Sequence, residues 1–472
     1  MIILSELIRH KQIKLVDIEN GFILIGGLHL ITCIAQSFDL VKSTSAYFEI
    51  TGLNENPNIT AIFFVGCVPI VLHRLTNSTH KAPYLIFLFT LLFYIIILKC
   101  RTAYIGCFVI GIIFLIRAIR HNKKIIIPVV LAIILIIPSL FIYFYEMKKD
   151  STDGRLLIWK ISAQMIQTNP EGYGYGLFEK NYNLFQARYF ELSPERNIIE
   201  KQNAAFVSMP YNDYIEHTIE GGIIGGFFYL TFFFLLMLQA FKQRKWHALA
   251  IIVSYATMAL SNFIYTSIQS WFLLMCVGAY ISKDAPPVTL NKQIKQLSYF
   301  LFFSGMITIG FINLGHTISQ SILCIYKKEF ELQKNINLEK VNALQNCIGT
   351  SEAYWQFKGR CFVRKKEYEK AYNCFKRAIC YTSNPNIFFH LYFCLEKMGK
   401  PQSAIFYIKK VSYIIPLNLK SRILIMRHYH NMGQNDLARN TANEIVELPV
   451  KVTSSETLQI KKEAINYLKT NY

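Results

Sequence analysis

Long apolar runs recur along the first two thirds of the chain, and short polar stretches separate them. Most are long enough to cross the ~30 Å hydrocarbon core of a bilayer as a helix. The pattern predicts about nine spans, near residues 21–37, 59–73, 83–98, 102–119, 125–145, 219–241, 247–264, 267–282 and 298–318. We therefore expect an all-α fold that begins with a polytopic membrane helix bundle.

Basic clusters between the spans indicate the orientation. RHKQIK precedes the first span, HRLTNSTHK follows the second, RAIRHNKK the fourth and KQRK the sixth, so all four fall on one side. Cytoplasmic loops are enriched in Lys and Arg. We expect a cytoplasmic N-terminus, with the loop at about 146–218 and everything after about 319 outside. The formal charge of +20 fits such loops, and no basic stripe with stacking aromatics points to nucleic acid.

From about residue 340 the apolar runs give way to amphipathic, charged helices. AYWQFKGRCFVRKKEYEKAYNCFKRAICYTSNP has the tetratricopeptide pattern, with Trp355, Gly359, Tyr368, Ala371, Phe375 and Ala378 at its spacings. Gly399 and Gly433 lie 34 residues apart, as do Ala404 and Ala438. We predict an α-helical repeat domain over 321–472, capped by SSETLQIKKEAINYLK, after a transmembrane domain over 1–320.

Two basic residues lie at the tip of a tight turn, in LKCRTAY at 98–104. The expected orientation places this turn outside, where Lys and Arg are less common than in cytoplasmic loops. Lys99 and Arg101 either snorkel to the interface or form an anion site. Arg101 precedes a span and adds its charge to the positive end of that helix dipole.

The outer loop begins with an amphipathic stretch over 154–167, where Leu157, Ile158, Ile161 and Met165 share one face. NPEGYGYGLF then alternates glycine with aromatic residues. Such glycines allow close ligand approach and a phosphate-binding nest, or form an ordinary surface loop.

A family resemblance joins these stretches. DGRLLIWKISAQMIQTNPEGYGYGLFEKNYNLFQARYF followed by YNDYIEHTIEGGIIG resembles the signature of the O-antigen ligase and polymerase family. GLNENPNITAIFF and KCRTAYIG resemble two upstream stretches of that family, in the same order. The resemblance implies transfer or polymerisation of an undecaprenyl-pyrophosphate-linked glycan at the outer face of the inner membrane, by a glycosyltransferase without metal or cofactor. It leaves the acceptor open among lipid A core, a glycan and a protein.

The resemblance also implies site residues. Arg101 and Arg155 correspond to arginines that hold the pyrophosphate, a task that suits a charged, bidentate donor. Many members have a histidine where this chain has Tyr211, so Asp213 or Glu216 is left as the general base, unless Asp213 only complements the start of its helix. The expected substrate-binding residues are Lys99, Trp159, Gln186, Tyr211 and Asn212.

Two other functions compete with glycan transfer. A transporter would need ionisable residues within its spans, and these spans carry few beyond His29 and His316. A non-catalytic or truncated membrane anchor that displays the repeats outside the membrane, where they could bind a protein partner, is the main alternative.

Overall fold

A computed structural model describes residues 2–119, 149–193, 195–284, 292–450 and 453–470. Over these residues every regular element is a helix, as the sequence predicted. Those up to residue 284 are α1 (Ile2–Arg9), α2 (Leu15–Ser37), α3 (Pro57–Asn77), α4 (Ala82–Ile97), α5 (Arg101–Ile119), α6 (Lys149–Thr168), α7 (Phe178–Glu191), α8 (Ile198–Asn203), α9 (Asp213–Lys242), α10 (Trp246–Met258) and α11 (Ile268–Ser282). The later ones are α12 (Lys292–Glu331), α13 (Leu338–Ala343), α14 (Gln345–Ile348), α15 (Glu352–Arg364), α16 (Tyr368–Ala378), α17 (Pro385–Lys397), α18 (Pro401–Ile414), α19 (Leu419–Asn431), α20 (Asn435–Glu447) and α21 (Ser455–Thr470).

The apolar helices form a multi-pass membrane protein. Among the described residues five stretches can cross a bilayer by length and hydropathy, namely α2, α3, α5, α9 and residues 299–331 of α12. The shorter apolar helices α4, α10 and α11 coincide with three further predicted spans. The remaining one, predicted at 125–145, lies outside the described residues. On α9 the large apolar side chains Phe227, Phe228, Leu230 and Phe234 stay exposed, as side chains that face lipid do.

Helix α3 is the centre of the membrane bundle, because its residues from Thr60 to Val71 are buried without a break. The sequence explains where it starts. The Asn56 side chain accepts a hydrogen bond from the Asn58 backbone nitrogen at 2.9 Å, and Pro57 occupies the first helical position. The Asn-Pro-Asn stretch is thus the cap of the core helix.

Two predicted spans end elsewhere than expected. The span predicted at 247–264 is helical only as far as Met258, and residues 259–267 form a loop whose Ala259, Phe263 and Ile264 are buried. The span predicted at 298–318 is part of the 40-residue helix α12. Hydropathy did not detect either change, because buried loops and extended helices can be as apolar as spans.

The chain forms two compact units. The first contains 1–155, 170–172 and 209–287, and the second contains 156–169, 173–208 and 288–472. The division differs from the boundary that we predicted at residue 320, because α7, α8 and α12 group with the repeats.

The second unit contains the predicted repeats. Helix pairs α15–α16, α17–α18 and α19–α20 begin at Glu352, Pro385 and Leu419, and α21 follows as the cap. Gly399 and Gly433 have φ of 70° and 72° and end the first helix of the second and third pairs. The helices approach closely where the predicted alanines lie, since Ala371, Ala378, Ala404 and Ala438 are fully buried.

Candidate functional site

Two arginines of the first unit point toward a common region. Arg101 is the first residue of α5, and its guanidinium donates to Thr152 Oγ1 at 3.1 Å and Ser151 Oγ at 3.4 Å. Arg155 lies three residues after Thr152 and thus on the same face of α6. Burial, and then the neighbouring positive charge of Arg101, lowers the pKa of Arg155. A guanidinium nevertheless remains charged at neutral pH, so two like charges are held near each other.

Arg155 is fixed by contacts that use only part of its guanidinium. Nη1 donates to the Ser261 backbone oxygen at 2.7 Å, and the guanidinium carbon lies 4.9 Å from the centre of the Tyr211 ring. Nε is buried and has no hydrogen-bond partner among the described residues. An unsatisfied charged donor beside a second cation is an arrangement that favours an anion.

Tyr211 and Asn212 lead into α9. Tyr211 is half-buried and has φ of 55°, a left-handed conformation that is uncommon for a residue with a bulky side chain. The side-chain oxygen of Asn212 accepts from Ile215 N at 3.1 Å, and its Nδ2 donates to Leu260 O at 2.9 Å. Asn212 is therefore the N-cap of α9 and also fixes the loop after α10.

Asp213 is completely buried at the start of α9. Its Oδ2 accepts from Ile264 N at 2.9 Å, Tyr265 N at 3.3 Å and the Tyr229 hydroxyl at 3.0 Å. Glu216, the other base we considered, accepts from the Tyr265 hydroxyl at 2.5 Å and is also buried. Asp213 thus anchors the loop through Oδ2, whereas Asp213 Oδ1 and Glu216 Oε2 are buried without a hydrogen-bond partner among the described residues.

The loop after α10 joins these residues, and the sequence analysis missed it. Three successive carbonyls accept from different site residues: Ala259 from Asp213 N at 2.9 Å, Leu260 from Asn212 and Ser261 from Arg155. The Ser261 hydroxyl also lies 3.3 Å from Thr102 Oγ1, next to Arg101. The polar pair Ser-Asn at 261–262, inside an apolar run, was the only signal that the span stopped early.

The structure also describes the other three residues that we expected to bind substrate. Lys99 belongs to the first unit, is exposed and has φ of 48°. Trp159 and Gln186 belong to the second unit. Trp159 is half-buried on α6. The apolar face predicted for this helix is buried, at Leu157, Ile158, Ile161 and Met165. Gln186 is fully buried on α7.

The first glycine of the aromatic–glycine loop packs against protein backbone. Gly172 has φ of +94°, and a Cβ there would lie 2.4 Å from the backbone nitrogen of Gly222. Gly222 has φ of 70° inside α9, and the adjoining Ile223 N donates to Pro170 O at 2.9 Å. The loop thus needs glycine here to reach a break in α9, which is a packing role.

The described residues contain no group of three or more His, Cys, Asp or Glu side chains arranged to hold a metal ion. What the site does offer is two guanidinium groups, a tyrosine hydroxyl and buried carboxylates around one loop.

These features lie within or beside the stretch that matches a known family. Residues 86–230 match the O-antigen ligase family (Wzy_C). The resemblance predicted from the sequence is confirmed over this segment, which includes Arg101, Arg155 and Tyr211. The O-antigen ligase segment is less than a third of the chain, and it contains residues of both compact units.

A search of curated proteins gave no match to the chain. Among solved structures the chain is similar to yeast Tom70, with 12% identity, a TM-score of 0.25 and coverage of 89% of this chain and 90% of that one. A TM-score this low does not establish a shared overall fold.

Proposed function

We propose that this protein transfers a glycan from undecaprenyl pyrophosphate to an acceptor at the outer face of the inner membrane. In this proposal the N-terminus is cytoplasmic and the repeat domain is periplasmic. Two observations support the proposal: Arg101 donates to Thr152, one helical turn before Arg155, and Arg155 keeps a buried Nε without a hydrogen-bond partner in the described part of the chain. A pyrophosphate would satisfy that donor and both charges.

The reaction forms one bond and breaks one. An acceptor hydroxyl oxygen bonds to the anomeric carbon of the glycan, and the bond from that carbon to the pyrophosphate oxygen breaks. The bonding electron pair leaves with the pyrophosphate, and the hydroxyl proton passes to a base. Arg101 and Arg155 would stabilise the negative charge that grows on the leaving group, which is worth about 2.7–4 kcal/mol per donor in comparable sites. Fixed guanidinium charges could do this without a metal ion.

We assign the remaining residues by their contacts. Tyr211 is half-buried with its ring against Arg155, so its hydroxyl is suited to hydrogen-bond the acceptor. Asp213 and Asn212 hold the loop that positions Arg155, rather than touching substrate. Lys99 is exposed in the turn before Arg101. Its charge attracts the anionic donor, and salt in the solvent weakens this attraction. The acceptor would be lipid A core, a growing glycan or a protein hydroxyl.

Reconstituted protein tests this function. Purified wild type in proteoliposomes with undecaprenyl-pyrophosphate glycan and lipid A core should consume the donor and release undecaprenyl pyrophosphate. Arg101→Ala should lose at least about 100-fold in rate, because one donor to the leaving group is removed. Donor consumption at the wild-type rate by both Arg101→Ala and Arg155→Ala would exclude the pyrophosphate role.

The orientation needs a separate test. A cysteine introduced at Lys99, in a variant without the native cysteines, should react with an impermeant thiol reagent added outside spheroplasts. Reaction only after permeabilisation would place the turn in the cytoplasm and contradict the proposal.

A further inference from the structure

Helix α7 belongs to the O-antigen ligase segment by sequence, yet it packs with the repeats in the second unit. Its apolar face meets the second repeat, where Ala187, Val411 and Ile414 are fully buried together with Phe388. Some 200 residues separate α7 from these partners along the chain. The repeats therefore carry a segment of the ligase domain on their surface.

Two neighbouring charges of α7 recognise the turn between α16 and α17. The Glu179 carboxylate accepts from Ser383 N at 2.9 Å, from Ser383 Oγ at 2.5 Å and from Thr382 Oγ1 at 2.7 Å, just before α17 begins. Lys180 Nζ donates to Cys380 O at 2.9 Å, just after α16 ends. A carboxylate at a helix N-terminus and an ammonium at a helix C-terminus both complement the helix dipoles.

The last turns of α7 are held as well. Gln186 Nε2 donates to Ile414 O, at the end of α18, at 2.7 Å and to Ala205 O at 2.9 Å. Gln186 Oε1 accepts from the Tyr182 hydroxyl at 3.0 Å. Both amide protons are used and the side chain is fully buried. Toward the end of α7, Lys410 pairs with Glu191 at 3.2 Å.

We propose that the repeat domain is a clamp for the outer loop of the ligase domain, and that Glu179 and Gln186 are its positioning residues. This surface of the repeats thus binds a segment of its own chain and is not free for another protein. The consequence for transfer rests on the proposed function: releasing α7 would disorder the loop and weaken acceptor binding. The docking itself does not depend on that function.

Hydrogen exchange of the full-length protein in nanodiscs tests the clamp without any activity assay. In Glu179→Ala the amides of 178–191 should exchange roughly 10- to 100-fold faster, since three hydrogen bonds to a charged group are lost. Glu179→Gln keeps one acceptor oxygen and should show a smaller change. Glu195→Gln removes an exposed carboxylate of the same loop and should leave exchange unchanged.

The transfer assay then measures the consequence. We expect Glu179→Ala to raise the acceptor KM several-fold while donor binding stays near wild type, and Glu179→Gln to recover part of the loss. Unchanged exchange in Glu179→Ala would overturn the clamp. Faster exchange with wild-type transfer would overturn its positioning role. A wild type that does not transfer glycan but shows the exchange differences would refute only the proposed function.

Discussion

The replacement of Arg155 tests the proposed chemistry most directly. Arg155→Ala removes the charged hydrogen bond to Ser261 O, worth about 1.5–3 kcal/mol, and the contact with the Tyr211 ring, worth about 0.5–2 kcal/mol. Those contacts exist in the resting protein and affect its stability. The proposed contact with the departing pyrophosphate adds about 2.7–4 kcal/mol in the transition state only, which corresponds to a rate loss of about 100- to 1,000-fold.

Arg155→Lys separates charge from geometry. Lysine keeps the positive charge but cannot offer two parallel donors to a phosphate, so we expect an intermediate loss of about 10- to 100-fold. The assay is the initial rate of donor consumption in proteoliposomes, corrected for the folded fraction from size-exclusion chromatography.

The chain offers a matched control. Arg74 also lies over a tyrosine ring, with its guanidinium carbon 5.4 Å from the centre of Tyr84 and Nη2 3.0 Å from that hydroxyl. Arg74→Ala should lose a similar contact and keep its transfer rate. If Arg155→Ala stays within twofold of wild type, or Arg74→Ala falls as far, the assignment of Arg155 to the leaving group is refuted.

Three further predictions follow from single contacts. Gly172→Ala should lower the melting temperature in detergent, because alanine at this positive φ costs about 1–3 kcal/mol and its Cβ would collide with the backbone of Gly222. An unchanged melting curve would contradict the close approach of Gly172 to Gly222. Tyr211→Phe should raise the acceptor KM with little change in donor KM, whereas equal changes in both would argue against an acceptor contact. The hydrogen bond from Arg427 lowers the pKa of Glu463, so this pair should stabilise the last repeat above about pH 4.5 and lose that effect as pH falls further. Glu463→Gln should reduce the difference in urea-unfolding free energy between pH 7 and pH 4 by less than about 1 kcal/mol, because the pair is exposed; an unchanged difference would contradict the contribution of this pair.

Periodic features of the chain were predictable from the sequence. Apolar runs of span length and a repeat of 34 residues are encoded locally, so α3, α5 and α9 and the turns at Gly399 and Gly433 appear where expected. The resemblance predicted Arg101 and Arg155 as site residues; both lie in the first unit, where burial and then the charge of Arg101 lower the pKa of Arg155.

Contacts between distant segments were not predictable. The loop at 259–267 is apolar because it is buried, so hydropathy merged it with α10 and hid the carbonyls that bind Asp213 and Arg155. Gln186, which we predicted to bind substrate, donates to Ile414 O, 228 positions away in the chain. No local pattern could have indicated that partner.

The break at Gly222 divides α9 into a first part with acidic residues and an apolar second part. As one helix of 30 residues, α9 would be about 45 Å long, half as long again as the hydrocarbon thickness. Residues from Ile223 to Lys242 alone measure about 30 Å at 1.5 Å per residue and carry no acidic side chain. The acidic residues Asp213, Glu216 and Glu220 all precede the break and are buried within the protein, and the apolar part after Gly222 is by itself long enough to span the hydrocarbon core.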